Sequence, residues 1–470
     1  MSQAHLNPNS ITTLEEAIAV IRILVNRVND LEKENAELKE EIAILKKNSG
    51  TSSKPPSSDI TKPKSEQRQS GKRKIGGQKG HPRHNRTPFT EEELDDVIDL
   101  KPISCPCCGD RLEYSDAEIK IQQSVELKEN PVEKIEYRRH PGYCPNCQKI
   151  HYEQLPANII PNQLLGVRLL SLLGYMKGSM GVSMSELQEF IKNILGLKLS
   201  SGYIVKSILR VSKALKKPYE EVLDKVTSEE QLNIDESGWP DSGNKLWVWL
   251  FCSAKICLFA IRNSRGTKVL KEILGETFDG AITSDFYSAY VCFANAKQQF
   301  CLAHLIRDVK FLTTLPSDET KEFGEAILKY FRSIFVVWHE HGSGPPDVLR
   351  KKVKRIQRKM FTFLLNTKPT NKHVTNITVR MTKHWDSLFR FVDYPDQIQP
   401  TNNNAERSLR HLVRIRKVSQ GTRGDNGQRW TERVMTVMST CKRQNINPWN
   451  FIQSAVTARF LNAYYPCLIP

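Results

Sequence analysis

Long apolar runs are missing from this chain. None reaches the ~18 residues that a membrane-crossing helix needs, and the opening MSQAHLNPNS has neither a basic start nor an apolar stretch of the secretory kind. No membrane segment and no secretion signal are therefore expected, and the expected location is the cytoplasm, with the nucleoid. Apolar residues make up only 39% of the 470, below ordinary globular usage, so the deficit must fall in segments outside packed cores. Acids are also short, 52 against 69 Lys and Arg, for a net charge of +17. A surplus of that size points to a polyanionic partner, and with no membrane feature the partner is nucleic acid; the alternative is a merely soluble basic protein. Cysteine is sparse outside one stretch, with five of eleven between Cys105 and Cys147. Without a secretion signal, such bunching reads as metal binding rather than as disulfides.

The length suits two to four domains. Leu24, Leu31, Leu38 and Leu45 recur every seven residues, each preceded by three positions by Ile21, Val28, Asn35 and Ile42. These are the d and a positions of a heptad repeat, with β-branched a residues and Leu at d, the pairing that favours a parallel dimer. Asn35 costs stability unless it meets its twin, so it selects register and two strands. Arg27, Glu34 and Glu41 at g would face Glu32, Lys39 and Lys46 at e of a partner, each pair opposite in charge. The other reading is one amphipathic helix packed on its own protein. A linker over residues 48–98 follows, rich in Pro, Ser and Gly and expected to be disordered. Between Lys62 and Arg86 it holds nine Lys and Arg against Glu66 alone. Lys72, Arg73, Lys74, Lys79, Arg83 and Arg86 are its candidate DNA contacts, with a solvated tether as the alternative.

Cys105-Pro-Cys-Cys108 and Cys144-Pro-Asn-Cys147 form two C-x-x-C turns within residues 99–155. Four thiolates from Cys105, Cys108, Cys144 and Cys147 would close a tetrahedral structural Zn²⁺ site in a zinc ribbon. The 35 residues between the pairs exceed the usual spacing, but IKIQQSVEL and VEKIEYRRH read as strands that could extend a ribbon. Cys107 is an ambiguous ligand and His140 a spare. Residues 160–228 read as helical, with a turn at Gly196 and a helix capped by Ser200 or Ser201. That hairpin is either a helix-turn-helix reader of DNA or a support for the next domain.

From Gln231 the periodicity changes to strands. LNID ends at Asp235; LWVWLFCSA and ICLFAIR follow after an Asp-Ser-Gly-Asn turn; then come a helix near Lys268–Leu274, the strand AITS ending at Asp285, a helix from Phe286 and the strand QQFC. Carboxylates ending the first and fourth strands of such a layout meet at one sheet edge, as in an RNase H-like fold, where two Mg²⁺ or Mn²⁺ ions could sit. IDESGWPDSGNKLWVWLF, SDFYSAY, QFCLAHLIRD and PTNNNAERSLRHLVRIRKVSQGTRG resemble, in order, the signatures of the insertion sequence 66 family of transposases. The zipper, the NSGTSSKPPSSD linker, the GGQKGHP stretch and the CPCCG turn resemble that family too, so the likeness spans nearly the whole chain; Ser237 stands where the family more often has Thr.

The resemblance implies an Asp-Asp-Glu triad of Asp235, Asp285 and Glu406 holding two divalent ions, with Asp235 bridging them, for DNA cleavage and strand transfer at the element's inverted repeats. It implies DNA and element-encoded accessory proteins as partners. Taken alone, each Asp could be a turn former and Glu406 half of a helix pair with Arg410. Glu236 and Asp308 are reserve carboxylates of solvated or structural kind. Arg407, Arg410, Arg414 and Arg416 are candidate phosphate contacts beside the site. Cys301 and His304, three apart, suit either a metal or DNA contact or a buried histidine beside a core thiol. A regulator that has lost catalysis and an unrelated RNase H-like nuclease are the competing classes.

The expected architecture is multidomain α+β: a coiled coil at 12–47, the linker, the ribbon, the helical region, and a catalytic core at 229–440 with an all-α insertion at about 315–398, then a helical tail at 441–470. A peptide of residues 1–50 should be dimeric in sedimentation equilibrium at ~100 μM. Asn35→Val should raise its melting temperature while loosening the choice of two strands; a monomer at that concentration contradicts the seam.

Overall fold

The computed structural model describes residues 13–48, 50–51, 87–101, 103–111, 119–129, 131–369 and 371–469. Lys72, Arg73, Lys74, Lys79, Arg83 and Arg86, and most of the 48–98 linker, lie outside them. The chain divides into two compact units, Met1–Pro63 with Tyr137–Lys192 and Lys198–Pro470, and Lys64–Glu136 with Asn193–Leu197.

In the first unit, helix α1 (Leu14–Leu45) opens on a capping box between Thr13 and Glu16. Its a and d side chains, including Leu24, Val28, Leu31, Leu38 and Ile42, are all exposed. Its last turns touch the chain's own helical insertion: Glu40 lies 3.0 Å from His373 and 3.3 Å from Lys372, and the Lys47 ammonium sits 4.1 Å over the Phe311 ring. Glu40 and Lys47 occupy f positions, opposite the seam, so docking and an open a/d face coexist.

The strands β1 (Pro141–Cys144) and β2 (Lys149–Tyr152) form an antiparallel hairpin. IKIQQSVEL and VEKIEYRRH, expected as strands, form none among the described residues. Ile119, Ile121, Val125 and Leu127 are exposed; apolar alternation supplies a face, but a strand also needs a ladder partner. The helical region comprises α2 (Val167–Tyr175), α3 (Met184–Asn193), α4 (Ser201–Ala214) and α5 (Lys216–Val226). Ser200 caps α4, its hydroxyl accepting from the Tyr203 N–H at 3.2 Å. The buried face of α4, with Ile204, Ile208 and Val211, packs on helices of the same unit.

Five strands build the central sheet: β3 (Gln231–Asp241), β4 (Asn244–Cys252), β5 (Cys257–Arg262), β6 (Ala281–Ser284) and β7 (Lys297–Phe300). Their order is β5-β4-β3-β6-β7, antiparallel among the first three and parallel from β3 through β6 to β7. Ser242 and Gly243, at φ of 49° and 87°, make the tight β3–β4 turn. Helix α6 (Thr267–Leu274) crosses between β5 and β6. The helix expected from Phe286 is a short 3₁₀ turn at Ser288–Cys292 instead, because the Asp285 carboxylate accepts the Tyr287 N–H at 2.9 Å and holds the preceding residues in a turn.

After β7 come α7 (Leu302–Leu312), α8 (Asp318–His341), α9 (Pro346–Asn366), α10 (Lys372–Lys383), α11 (Trp385–Leu388) and α12 (Arg390–Asp393), which share one core with Phe323, Ile327, Val353, Met360 and Phe391. The chain returns to the sheet with α13 (Asn403–Ser419) and α14 (Asp425–Arg443), and α15 (Pro448–Leu461) packs on α2 and α4. The catalytic-core boundary expected at 440 thus falls inside α14.

The outer strand β5 is covered by α14. The N–H groups of Cys257, Phe259 and Ile261 donate to Thr440, Thr436 and Glu432 at 3.1, 2.9 and 2.7 Å. Four helical residues rise about 6 Å and two strand residues about 6.6 Å, so every fourth side chain meets every second N–H. A sheet edge that would otherwise be open is closed by side chains. Thr436→Val leaves the Phe259 N–H buried and unpaired and should cost about 1–3 kcal/mol in chemical denaturation, with Thr436→Ser close to wild type; an unchanged midpoint for both contradicts the ladder.

Candidate active site

Parallel pairing of β3 with β6 matches Asn233 to Thr283. Two residues further along each strand stand Asp235 and Asp285, level with one another and on the same sheet face by the alternation of side chains. Contrary to the expectation of a strand that stops at Asp235, β3 continues to Asp241, because β4 goes on pairing with it. The parallel neighbour ends first, and the acid lies where β6 gives way to loop.

Glu406 reaches this place from the first turn of α13. Asn402 precedes that helix and is fully buried, at 1% exposure. Its side chain does not cap its own helix; it donates to the Ile234 carbonyl at 2.8 Å and accepts from Asn233 at 2.9 Å. The Asn402 N–H donates to the Cys301 sulfur at 3.1 Å. One side chain thereby ties α13 to the residues immediately before Asp235. Arg416, further along α13, donates to Ser237 at 2.9 Å and to the Gly238 carbonyl. Beyond the helix, Gly421 has φ of +97°, and a Cβ there would fall 2.0 Å from the Pro240 oxygen; the GTRG turn needs glycine because it lies against β3.

Asp235, Asp285 and Glu406 are half-buried. Burial, and then the charges of Glu236, Asp285 and Glu406, hold the Asp235 carboxyl well above the usual range. Burial also raises Asp285, against the pull of the Tyr287 N–H and Arg265. Glu236 is raised by burial as well, opposed by Tyr290 and Arg265. Its side chain is 1% exposed and pairs with Arg265 at 2.6 Å, while the Tyr290 hydroxyl donates to it. Arg265 stacks 4.0 Å over Tyr287. Asp308 pairs with Arg380 at 2.8 Å.

Around Glu406, Arg307 lies at 3.3 Å and the His304 Nδ1 at 3.7 Å. The donors of Cys301, His304 and Glu406 all fall within 4.8 Å of one another, a grouping the three acids do not match among the described residues. Burial pushes the Cys301 thiol up to about 11, so it stays protonated. Burial and Arg307 bring His304 down to about 4, and its Nδ1 has no hydrogen-bond partner; a neutral imidazole of that kind is a competent ligand.

Arg407 and Arg410 are exposed on α13. Arg414, also exposed, donates to the Ser179 carbonyl at 3.3 Å, and Arg416 is held on β3. Asn402, Arg265, Tyr290 and Arg307 escaped the sequence reading. The triple Asn before Glu406 was the available signal for the first.

Residues 162–429, more than half of the chain, match the family described as transposase IS66 family. The chain belongs to the IS66 transposase family. The transposase also matches, over residues 6–87, a family of unknown function (DUF6444). It is similar to the uncharacterized protein y4hP of Sinorhizobium fredii, 21% identical over 402 residues, covering 77% of this chain and 72% of the relative. It is similar also to the uncharacterized protein y4qI of that organism, at 23% over 335 residues, covering 64% of this chain but only 61% of the relative. Membership makes this a transposase of an insertion element, an enzyme that cleaves and transfers DNA, and it brings DNA binding and divalent metal with it. Among the described residues no helix is long and apolar enough to cross a membrane.

The two C-x-x-C turns each prepare a thiolate. In the second unit Gly109 N–H donates to the Cys105 carbonyl at 2.9 Å, and the N–H groups of Cys108 and Cys107 lower the Cys105 thiol. In the first unit the Cys147 N–H, with the Cys147 thiol and the Asn146 N–H, lowers Cys144 on the β1–β2 hairpin, and Cys147 lies 3.3 Å from His151.

The raised Asp235 carries a pH consequence. Its folded pKa exceeds its unfolded one, so its contribution to stability is fullest below the unfolded value near ~3.9. That contribution falls as pH rises and is gone above the folded value. Asp285 and Glu236 act with the same sign. At neutral pH, metal-free Asp235→Asn should therefore melt above wild type, and Mg²⁺ should raise the melting temperature of wild type but not of the variant. Equal melting with and without Mg²⁺ for both proteins contradicts the site.

Proposed function

We propose that the core is RNase H-like and that Asp235, Asp285 and Glu406 form the Asp-Asp-Glu triad through which this transposase cleaves the element's inverted-repeat ends and joins them to target DNA. The observation that carries the reading is the meeting of two strand acids with a helix acid 121 residues further on (406 − 285 = 121), at one end of a mixed sheet. The donors fit divalent ions: hard oxygens, half-buried, raised in pKa by their own repulsion and burial and so short of positive charge. Their oxygens are too spread to close on one ion, as the 4.8 Å grouping indicates, which suits a pair of Mg²⁺ or Mn²⁺. When bound, such ions supply positive charge at the attacking and leaving oxygens of a phosphodiester.

The chain's own residues do the rest. Asn402 and Arg416 fix α13 on β3, so Glu406 need not be positioned anew in each turnover. Arg265 balances Glu236 and leaves Asp235 and Asp285 as the open carboxylates. Arg307 neutralises Glu406 until a stronger cation takes its place. Arg407 and Arg410 lie on the same helix, free to hold DNA phosphates. Cys105, Cys108, Cys144 and Cys147 would bind a structural Zn²⁺, with His151 beside Cys147 as a further donor. The exposed a/d face of α1 would pair two copies in parallel. The domains follow as expected, with the all-α insertion running from α8 to α12.

Asp235→Asn, Asp285→Asn and Glu406→Gln should each keep DNA binding and lose metal-dependent cleavage and joining by several orders of magnitude. Glu322→Gln, on the exposed face of α8, should stay active in the same strand-joining assay. An active Glu406→Gln beside an inactive Glu322→Gln would show that another carboxylate completes the site.

A further inference from the structure

Helix α9 carries seven Lys and Arg and a single acid, Asp347 in its first turn. Its back face, with Leu349, Val353, Met360 and Leu364, is buried in the insertion core. The basic residues all fall on the opposite side. Arg350 pairs with Asp347 at 2.7 Å, and Lys354 reaches Asp393 at 3.9 Å. Lys351, Lys352, Arg355, Arg358 and Lys359 are exposed, and no ion pair to a carboxylate is formed by them among the described residues.

A helix face that is merely solvated normally interleaves charges, as the neighbouring α8 does with Glu322, Glu325, Lys329 and Arg332. In α9 the spacing is the reverse. Lys351, Arg355 and Lys359 follow one another at i,i+4, and so do Lys354 and Arg358, each pair repelling by a few tenths of a kcal/mol. An anionic surface laid along the stripe would offset that repulsion. Lys351 to Lys359 spans about 12 Å of helix, the axial length of three to four phosphates at ~3.4 Å per strand.

We propose that the exposed face of α9 is a sequence-independent DNA-backbone site, separate from the Arg407 and Arg410 face of α13. The inference rests on the chain's being a DNA-transferring enzyme and assigns the insertion a part in holding the duplex. Side chains held on a rigid helix give register along the backbone without reading bases.

The test is fluorescence anisotropy of the full chain with a random-sequence DNA duplex between ~50 and ~200 mM salt. A variant with Lys351, Arg355, Arg358 and Lys359 all changed to Gln should flatten the plot of log affinity against log salt by about 3, at ~0.9 per phosphate contact. Lys329→Gln with Arg332→Gln on α8 should leave the slope unchanged, and Asp235→Asn should keep the wild-type slope. Should the fourfold variant lose its helical circular dichroism, Arg355→Gln and Lys359→Gln singly should each lower the slope by about 0.9. An unchanged slope in a folded variant overturns the proposal while leaving the catalytic reading intact. Wild type without salt-dependent DNA binding would overturn both.

Discussion

Two hydrogen bonds from the Asn402 side chain to β3 decide where the third acid stands. A helix returning after an all-α insertion has no sequence-local reason to arrive beside Asp235. Asn402 supplies that reason by meeting Asn233 and the Ile234 carbonyl in a buried setting, where an unpaired amide would be costly. It gives up the capping of its own helix to do so. The Cys301 sulfur accepts the Asn402 N–H and so joins the start of α7 to the same point. Glu406, one turn later, inherits its position from this junction.

The carboxylates are brought together at an electrostatic cost, and the surrounding cations are distributed accordingly. Arg265 is committed to Glu236, whose side chain is nearly inaccessible. Asp235 is left facing other acids, which is how a site prepared for exchangeable cations differs from a structural ion-pair network. The opposite solution appears at Glu432, whose fully buried carboxylate is met by Arg262 at 3.0 Å and Arg429 at 2.5 Å, and by the Ile261 N–H. One acid closes a sheet edge permanently; the other group is held open.

Much of this arrangement is legible in the residues themselves. The heptad seam, the β3–β4 turn, the carboxylates after short strands and the helical insertion all rest on local periodicity or turn chemistry. What escapes is non-local. Thr436, Thr440 and Glu432 read as polar residues of a surface helix and prove to be buried partners of β5, because only the tertiary fold places an unpaired strand beside them. IKIQQSVEL has the alternation of a strand but no ladder to join. Arg416 looks like a phosphate contact in an arginine-rich run and is held by Ser237 instead. Asp235 was expected to end its strand, since the antiparallel neighbour that prolongs β3 is not written in the residues after it.

The central claim is that Asp235, Asp285 and Glu406 surround one divalent-ion centre. Fe²⁺ occupies oxygen-ligand sites of this kind, and with ascorbate and peroxide it cuts the backbone next to wherever it is bound. Cuts near residues 235, 285 and 406 together, all abolished in Asp235→Asn, are the predicted pattern. Cuts confined to other acids, or cuts at 406 that persist when those at 235 and 285 are lost, would contradict the shared centre.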